Sequence, residues 1–266
     1  MGKALEILSG GVTAPGATLT NLTMASGDSL TIRNTSEGKT KLLTTWQTGQ
    51  TTAGSFAIRS PRMHDNVRGI TLFAPVTLNE AKLWIPHLQD LTSQDTLIVQ
   101  LSGSAAVGDI ELASLLVYYE NLPGIEANLI TPDELKARGV DITTVPNAIT
   151  TTTGPDYTGS VAINASTDLL KANTLYALVG YEVSAQAGCV TWKGSDTGNL
   201  RVGGPARTAS NLETRNWFIA LSNLTGYPCI PVFNSANKSN TFVEAQQDEN
   251  ATAVNVTSIL VELTGV

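Results

Sequence analysis

Short hydrophobic runs recur along the whole chain, and each is bounded by Gly, Asn, Asp, Ser or Pro. The runs are rich in β-branched and aromatic residues or alternate between apolar and polar positions, which is the pattern of β-strands. Regular short strands joined by polar turns predict an all-β fold of the sandwich or barrel type. The predicted strands are Leu30–Arg33, Leu42–Trp46, Thr96–Leu101, Leu115–Tyr119, Leu175–Val183, Trp217–Leu221 and Val254–Leu263.

One helix is predicted near the centre of the chain. Thr131-Pro-Asp-Glu134 is a capping box, in which the Thr131 hydroxyl accepts from the N–H of Glu134 and the Glu134 carboxylate accepts from the N–H of Thr131. The helix continues to Arg138, and Gly139 is expected to end it in a left-handed turn. The polar tract 143–154 follows without periodicity and is interpreted as a connector between two β units.

The halves of the chain on either side of this helix resemble each other. Several blocks recur in the same order at a spacing of 144 or 145 residues (205 − 61 = 144 and 230 − 85 = 145). We interpret them as a tandem duplication, with units at 1–123 and 154–266 and a helical connector at 124–153. The matched blocks are Gly54–Pro61 with Gly198–Pro205, Ile85-Pro86 with Ile230-Pro231, Asp95-Thr96 with Asn240-Thr241, and Ser114–Val117 with Ser258–Val261.

Charged residues make up 15% of the chain, below the roughly 25% of ordinary soluble proteins. A net charge of −7 and a pI near 4.8 argue against a surface that holds phosphate backbones or anionic lipid. No apolar run approaches the ~20 residues of a membrane span, and the first residues lack the pattern of a signal peptide, so we expect synthesis in the cytosol. The two cysteines, Cys189 and Cys229, could pair, but two separate buried thiols are favoured.

Two short motifs match those of hydrolases. Gly27-Asp-Ser-Leu30 spells the signature of a family of lipolytic enzymes, but their nucleophilic serine needs a histidine base near the C-terminus and an α/β fold. Asp196-Thr-Gly198 spells the aspartic-protease triplet, which needs a second carboxylate from an equivalent copy. The only histidines are His64 and His87, and the first half has no second triplet. Both motifs are therefore interpreted as turns.

The stretch Arg59–Arg68 contains three arginines and His64-Asp65. Such a stretch could bind a phosphate or a carboxylate, but a polar loop that contacts a neighbouring chain is favoured. A calcium site built from scattered Asp and Asn oxygens stays open, although no loop has the usual spacing. The sequence contains no phosphate-binding Gly-rich loop, and we assign no catalytic, cofactor-binding or metal-binding residues.

Two tandem β units, a short capped helix between them, low charge and no catalytic constellation resemble the double jelly-roll major capsid proteins. This group includes the adenovirus hexon and the coat proteins of tailless, often membrane-containing, icosahedral phages. The resemblance covers both halves and is carried by the paired blocks around Pro61 and Pro205, the two Ile-Pro pairs, and the terminal strands at Ser114 and Ser258.

The resemblance implies two eight-stranded jelly rolls and a structural role without enzymatic activity. It further implies homotrimers that form pseudo-hexagonal capsomers of a virion shell, assembled in the host cytoplasm. The implied partners are other copies of the chain and further virion proteins, such as penton or membrane-associated components. No Lys/Arg-rich arm is present, so direct sequence-specific binding of nucleic acid is not expected.

Two other functions stay open at this point: a tandem β-sandwich binding module, for carbohydrate or cell-surface adhesion, and a minor spike component of a virion. A carbohydrate module usually exposes an aromatic platform. The tryptophans Trp46, Trp84, Trp192 and Trp217 divide evenly between the halves, and each lies in an apolar pattern, which predicts core packing.

Overall fold

The computed structural model describes residues 2–25, 27–35, 40–48, 52–63, 67, 69–74, 82–83, 89–150, 155–208, 211–246 and 253–265. The fold is built almost entirely from antiparallel β-sheet, as predicted. Within these residues the first half of the chain forms ten strands. They are β1 (Gly2–Thr13), β2 (Thr20–Asn21), β3 (Thr23–Met24), β4 (Thr40–Thr48), β5 (Gly54–Arg59), β6 (Ile70–Ala74), β7 (Lys82–Leu83), β8 (Gln89–Leu91), β9 (Ile98–Ser102) and β10 (Ile110–Leu122).

The second half starts with a short strand and the central helix, and further strands then alternate with two helices. These elements are β11 (Leu129–Ile130), α1 (Pro132–Arg138), β12 (Gly139–Thr150), β13 (Tyr157–Ala162), β14 (Leu175–Val183), β15 (Ala187–Lys193), β16 (Val202–Ala206), α2 (Asn211–Thr214), α3 (Trp217–Thr225), β17 (Ile230–Asn234), β18 (Phe242–Gln246) and β19 (Ala253–Leu263).

Each half forms a sandwich of a large and a small sheet. In the first sandwich the large sheet has the strand order β3-β1-β10-β4-β7, with β8 also paired to β4, and the small sheet has the order β2-β9-β5-β6. In the second sandwich the large sheet has the order β11-β17-β14-β19-β12, and the small sheet has the order β13-β18-β15-β16. We call these the first large, first small, second large and second small sheets.

The two sandwiches share one topology. Eight strand positions can be counted from β1 and again from β12, with β3 and β11 as extra edge strands and with β7 and β8 sharing the sixth position of the first sandwich. In both large sheets the order is one, eight, three, six, and in both small sheets it is two, seven, four, five. This is the jelly-roll order. The chain has the double jelly-roll fold that the sequence resemblance implies.

The first large sheet is buried on both faces. Successive side chains of a strand point to opposite faces. On β10, Leu115 and Val117 lie in the core of the first sandwich, together with Phe56 of the first small sheet. Leu116 and Tyr118, which point the other way, belong to the same buried cluster as the core of the second sandwich.

The capping box at Thr131 is confirmed, but the predicted end of the helix and the predicted connector are wrong. Gly139 has φ −68° and ψ 131°, so the chain leaves α1 in an extended conformation and continues directly into β12. This strand pairs with β19 over its whole length. Val145, Asn147 and Ile149 alternate inward, but the inward Asn147 is polar and the outward Pro146 and Ala148 are not, so the sequence shows no period of two here.

The predicted strand at Trp217–Leu221 is also wrong, because these residues begin helix α3. A run of five apolar residues fits a buried strand and a buried helix equally well. Trp217, Phe218 and Leu221 are buried on one side of the helix, a spacing that a strand would place on both faces. Leu30–Arg33 forms no strand either, and only an isolated bridge joins Thr31 to Thr96.

The remaining strand predictions are confirmed. Leu175–Val183 is β14 with both ends as predicted. The others lie within or overlap strands of the structure: Leu42–Trp46 in β4, Thr96–Leu101 with β9, Leu115–Tyr119 in β10 and Val254–Leu263 in β19.

Helices α2 and α3 cover an open strand edge. Along β14, strand β17 pairs only with the first residues, Leu175–Ala177. Farther along β14, the Asn211 side chain accepts from the N–H of Val183 and donates to its carbonyl, at 3.1 and 3.0 Å, as a neighbouring strand would. Gly180 lies so close to the Arg215 carbonyl that a Cβ would stand 2.1 Å from that oxygen. The helices thus take the place of a neighbouring strand along this part of β14.

Strand pairing defines which residues of the two sandwiches are equivalent. In the β10–β4 pairing the register shifts by one residue between Leu116 and Val117. In the β19–β14 pairing it shifts by one residue between Ile259 and Leu260. Leu116 is therefore equivalent to Ile259, at a spacing of 143 residues (259 − 116). By the same count, Tyr118 is equivalent to Val261. Leu5 is opposite Tyr118 and Ile142 is opposite Val261, so Leu5 is equivalent to Ile142.

The sequence alignment of the halves identified two pairs of equivalent strands and mismatched one block. Ser114 and Ser258 do lie on equivalent strands, but the alignment is one residue out, so that the two hydroxyls face opposite sides of their sheets. The block at Gly54 covers β5, whose equivalent is β15, whereas the block at Gly198 covers β16. Asp95-Thr96 and Asn240-Thr241 correctly precede the equivalent strands β9 and β18, and Ile85-Pro86 lies outside the described residues.

We predict that Phe218→Ala lowers the free energy of unfolding by about 3–5 kcal/mol, because the ring is fully buried and packs edge-on against Trp192. Leu224→Ala on the same helix is the control, since Leu224 is half exposed and should lose less than about 1 kcal/mol. Urea denaturation of both variants measures the difference. Equal losses would mean that α3 does not bury its apolar side in this way.

Candidate functional site

The most extensive buried contact outside the individual sandwiches is the one between them. The outer face of the first large sheet packs on the outer face of the second small sheet. Apolar side chains of the first large sheet enter the core cluster of the second sandwich, and all are buried: Leu5, Ile7, Leu43, Trp46, Leu116 and Tyr118. We call this contact the sandwich interface.

Hydrogen bonds fix the register of the sandwich interface. The Trp46 indole donates to the Gly188 carbonyl at 2.9 Å, across the two sheets. The Ser9 hydroxyl lies 2.7 Å from the Gln246 side-chain oxygen and 2.9 Å from the Ser114 hydroxyl. Gly188 is required by close approach, because a Cβ there would lie 2.4 Å from a methyl group of Leu112. These buried polar groups all have partners, so the contact is specific as well as apolar.

Aromatic rings complete the apolar part of the interface. Trp46 meets Trp217 of α3 edge-on, with ring centroids 6.4 Å apart. Tyr118 stacks on Tyr227, which follows α3, with centroids 4.4 Å apart. Helix α3, which the sequence analysis assigned to a strand, therefore supplies contacts that attach one sandwich to the other.

An arginine between two carboxylates lies in the same interface. The Arg201 guanidinium donates to Asp28 of the first sandwich at 2.9 Å and to Glu244 of the second at 2.7 Å. It also lies over the Tyr157 ring, 4.0 Å from the ring centroid. The side chains of all three charged residues are about one-tenth exposed or less. One buried cation thus serves two buried anions, one from each sandwich.

This arrangement changes the acidity of Asp28. Burial raises the pKa of its carboxyl group from the ordinary 3.8 to about 6, although the Arg201 charge and the Ser9 N–H, which donates at 3.0 Å, act in the opposite direction. The carboxylate of Glu6 also raises this pKa, and Glu6 is itself paired with Arg33. Ionisation of Asp28 is therefore less favourable in the folded chain than in an unfolded chain, although the carboxylate still predominates at pH 7.

The two cysteines are unpaired and buried, as favoured by the sequence analysis. Burial raises the pKa of each thiol to about 12. Cys189 lies in the sandwich interface, 3.5 Å from the Tyr157 hydroxyl and from the Gln246 side-chain oxygen. At this pKa neither thiol is a nucleophile at neutral pH.

The hydrolase-like motifs form turns. The Ser29 hydroxyl accepts from the N–H of Thr31 in an exposed turn. Asp196-Thr-Gly198 belongs to a 3-10 turn that Gly198 ends at φ 66°, and Asp196 accepts from the N–H of Asn234 and the side chain of Asn237. The prediction that both motifs are turns is confirmed.

Several residues that the sequence singles out are not among the described residues. His64, Asp65, Arg68, His87 and Trp84 lie outside the described residues. In the described part of the chain, no group of three or more His, Cys, Asp or Glu side chains is placed to hold a metal ion. The helices within that part are all too short or too polar to cross a membrane. Trp46, Trp192 and Trp217 are buried, as predicted.

The charged cluster was not identified from the sequence. In the sequence, Asp28 indicates only a turn at Gly27–Leu30, and Arg201 is only one residue of the block that resembles Gly54–Pro61. Arg201 stands between Leu200 and Val202, both buried, in a chain with few charges. A charged residue inside an apolar run indicates a buried ion pair, although not its partner.

Comparisons with known proteins find no matching family model and no matching curated protein. Among solved structures, the chain is similar to the major capsid protein P2 of bacteriophage PM2, with 7% identity, a TM-score of 0.25, and 99% of this chain and 98% of that chain covered. A chain of Sulfolobus Turreted Icosahedral Virus has 11% identity, a TM-score of 0.22 and coverages of 99% and 91%. The PBSX exported protein XepA has 11% identity, a TM-score of 0.23 and coverages of 93% and 88%. The fold assignment rests on the strand order and not on these low scores.

We predict that Asp28→Asn removes a pH dependence of stability. The folded chain keeps the Asp28 proton up to about pH 6, whereas an unfolded chain releases it near 3.8, so raising the pH across this window destabilises the wild type by up to about 3 kcal/mol. The variant should therefore gain stability relative to the wild type between pH 4 and 7. Urea denaturation at several pH values measures this gain. Asp168→Asn is the control and its stability relative to the wild type should change little there, because Lys238 lowers the pKa of Asp168 below its ordinary value of 3.8.

We predict that Arg201→Met lowers the free energy of unfolding by about 3–5 kcal/mol at pH 7.5, because it leaves two buried carboxylates without their cation. The loss should be smaller at pH 5, which is below the raised pKa of Asp28, so that this carboxyl group is neutral. Arg215→Met is the matched control, since the side chains of Arg215 and its partner Glu182 are 51% and 33% exposed and this pair should contribute less than about 1 kcal/mol. Equal losses at both sites would contradict the assignment of a buried cluster.

Proposed function

We propose that the chain is a structural coat subunit that forms trimeric, pseudo-hexagonal capsomers of an icosahedral virion shell. The observation that supports this most directly is the stacking of two sandwiches of one topology within the chain. The first large sheet packs on the second small sheet, so the two sandwiches use different faces for the same contact. A contact between unlike faces is heterologous, and it can be repeated from one unit to the next until a ring closes.

A duplicated chain suits such a ring. Six similar units around an axis fill a hexagonal position, and a chain with two of them reaches six with three identical copies. We place the first unit at 1–123, as the sequence analysis did, and treat 124–138 as the connector. We start the second unit at 139 and not at 154, because β12 pairs within the second large sheet.

The low fraction of charged residues fits a subunit that packs side by side with its neighbours. A low charged fraction leaves few ions to be buried when flat faces meet, and an unpaired buried ion costs several kcal/mol. The net charge of −7 gives no attraction to nucleic acid, so we propose that other virion proteins or a membrane lie between this shell and the genome. The virion is the proposed location, with assembly in the host cytoplasm, and the role is structural rather than catalytic.

A carbohydrate-binding module is less well supported. Sugar-binding sandwiches stack the ligand on exposed aromatic rings, but the three described tryptophans are buried in cores or in the sandwich interface.

We expect the purified chain to give trimers in native mass spectrometry and hexagonal particles or closed shells in electron microscopy. The measurement is made over a range of protein and salt concentrations, because contacts with few ions should depend little on salt. Monomers at every concentration tested would contradict the proposal. Glycan-array binding by such monomers would favour the binding module instead.

A further inference from the structure

We propose that a cleft at the junction of the two sandwiches binds a small aliphatic carboxylate, such as a short fatty acid. The cleft has a volume of about 430 Å³ and lies between Lys3, Leu129, Arg138, Leu175 and Val232. We call it the junction cleft. Its size is in the range of small-molecule sites, which often lie between domains. The cleft is formed within one chain, so this inference does not depend on the proposed function.

Both sandwiches and the connector form the walls of the junction cleft. Lys3 belongs to β1 of the first sandwich, whereas Leu175 and Val232 belong to β14 and β17 of the second. The connector passes between these strands. The N–H of Ala127 donates to the Lys3 carbonyl at 3.0 Å, and the Asn128 carbonyl accepts from the N–H of Val232 at 2.7 Å. Backbone hydrogen bonds to both sandwiches therefore hold the walls of the cleft in place.

Apolar side chains form one part of the lining. Ile130 and Val232 are 7% and 4% exposed and belong to the core cluster of the second sandwich. Leu129 and Leu175 pack against this cluster but stay partly exposed, and both line the junction cleft. An aliphatic chain in the cleft would remove the remaining surface of these two leucines from water, which favours binding.

The cleft also carries two cations without a carboxylate partner. Arg138 is partly buried, and its Nε and Nη2 atoms donate to the Thr264 carbonyl at 3.4 and 3.3 Å. This carbonyl is neutral, so it orients the guanidinium without compensating its charge. Within the described part of the chain, neither Arg138 nor Lys3 forms an ion pair. A guanidinium held in this way is suited to a carboxylate, which it can bind through two parallel hydrogen bonds.

Glu126 favours a carboxylate over a more highly charged anion. It is the single acidic residue of the lining, so the described lining has a formal charge of +1 (two cations and one anion). A phosphate monoester carries close to two negative charges at neutral pH and would be repelled by Glu126. A carboxylate carries one charge and balances the lining. Its aliphatic chain would then lie against Leu129 and Leu175.

Calorimetric titration of the full chain with sodium octanoate, below the concentration at which it forms micelles, tests the inference. We expect saturable binding of one octanoate per chain. The affinity should rise about two- to four-fold with each methylene from butanoate to octanoate, because each buries apolar surface. 1-Octanol lacks the carboxylate and should bind about ten-fold more weakly. No saturable binding, or equal affinities for butanoate and octanoate or for octanol and octanoate, would overturn the inference.

Two substitutions test the role of the cations. Arg138→Met should weaken octanoate binding about ten-fold, and Lys3→Met about three-fold, because each removes a positive charge but keeps an unbranched apolar stem. Lys136→Met is the matched control, since Lys136 is on the same helix, has a side chain that is 78% exposed and does not line the cleft. Unchanged affinity in either of the first two variants, or an equal loss in the control, would overturn the inference. Thermal unfolding without octanoate checks that each variant is folded.

Methyl NMR of the wild type locates the ligand without any substitution. Octanoate should shift the methyl signals of Leu129, Leu175 and Val232 but not those of Leu212 and Val107, which are exposed on α2 and after β9. Unshifted signals for the first three residues would place the ligand elsewhere and overturn the inference. Octyl phosphate is the comparison ligand, and tighter binding of octyl phosphate than of octanoate would overturn the assignment of a carboxylate.

Discussion

The burial of the first large sheet on both faces is the constraint on which the rest of the molecule depends. One face packs on its own small sheet and the other on the second sandwich, so its central strands β1, β10 and β4 carry apolar side chains on both sides. A shift of one residue in the pairing of a strand moves each of its side chains to the opposite face of the sheet. Because both faces of this sheet are packed, such a shift would disrupt both contacts. The hydrogen bonds of Ser9 and Trp46 then add directional contacts to this register. The position of one sandwich on the other is thus fixed by the same strands that form the core of the first.

The charged cluster at Arg201 has a different role from the apolar contacts. It contributes little area, and burying three ionisable groups carries a desolvation cost that apolar side chains of similar volume would avoid. The cluster fixes the position of one sandwich relative to the other, because Asp28 comes from the first sandwich and Glu244 from the second. The planar guanidinium of Arg201 can bind both carboxylates only in one arrangement. The surplus carboxylate makes this arrangement sensitive to protonation near pH 6.

The sequence predicted the fold class, most of the long strands and the capped helix because these depend on local patterns. It could not distinguish α3 from a strand, since Trp217–Leu221 is apolar throughout and only the partners of Trp217 and Phe218 select the helix. It missed β12 because a polar residue, Asn147, points inward on that strand while apolar residues such as Ile142 point outward, so apolar and polar positions do not alternate. The matched blocks place Ser114 and Ser258 on equivalent strands but one residue out of register, because identity in the blocks is too low to locate a β-bulge. The Asp28–Arg201–Glu244 cluster joins residues that are distant in sequence, so no local pattern contains it.

Helices α2 and α3 have a consequence for the way this protein can associate. An uncovered strand offers free N–H and C=O groups, and further strands can add to it without limit, which leads to fibres. Along the second part of β14 the Asn211 amide already satisfies Val183, and the backbone at Arg215 lies beside Gly180. The addition of further strands is therefore blocked at this edge of β14. Copies of the molecule can still associate through the faces of their sheets, and contacts of that kind can close into an assembly of finite size.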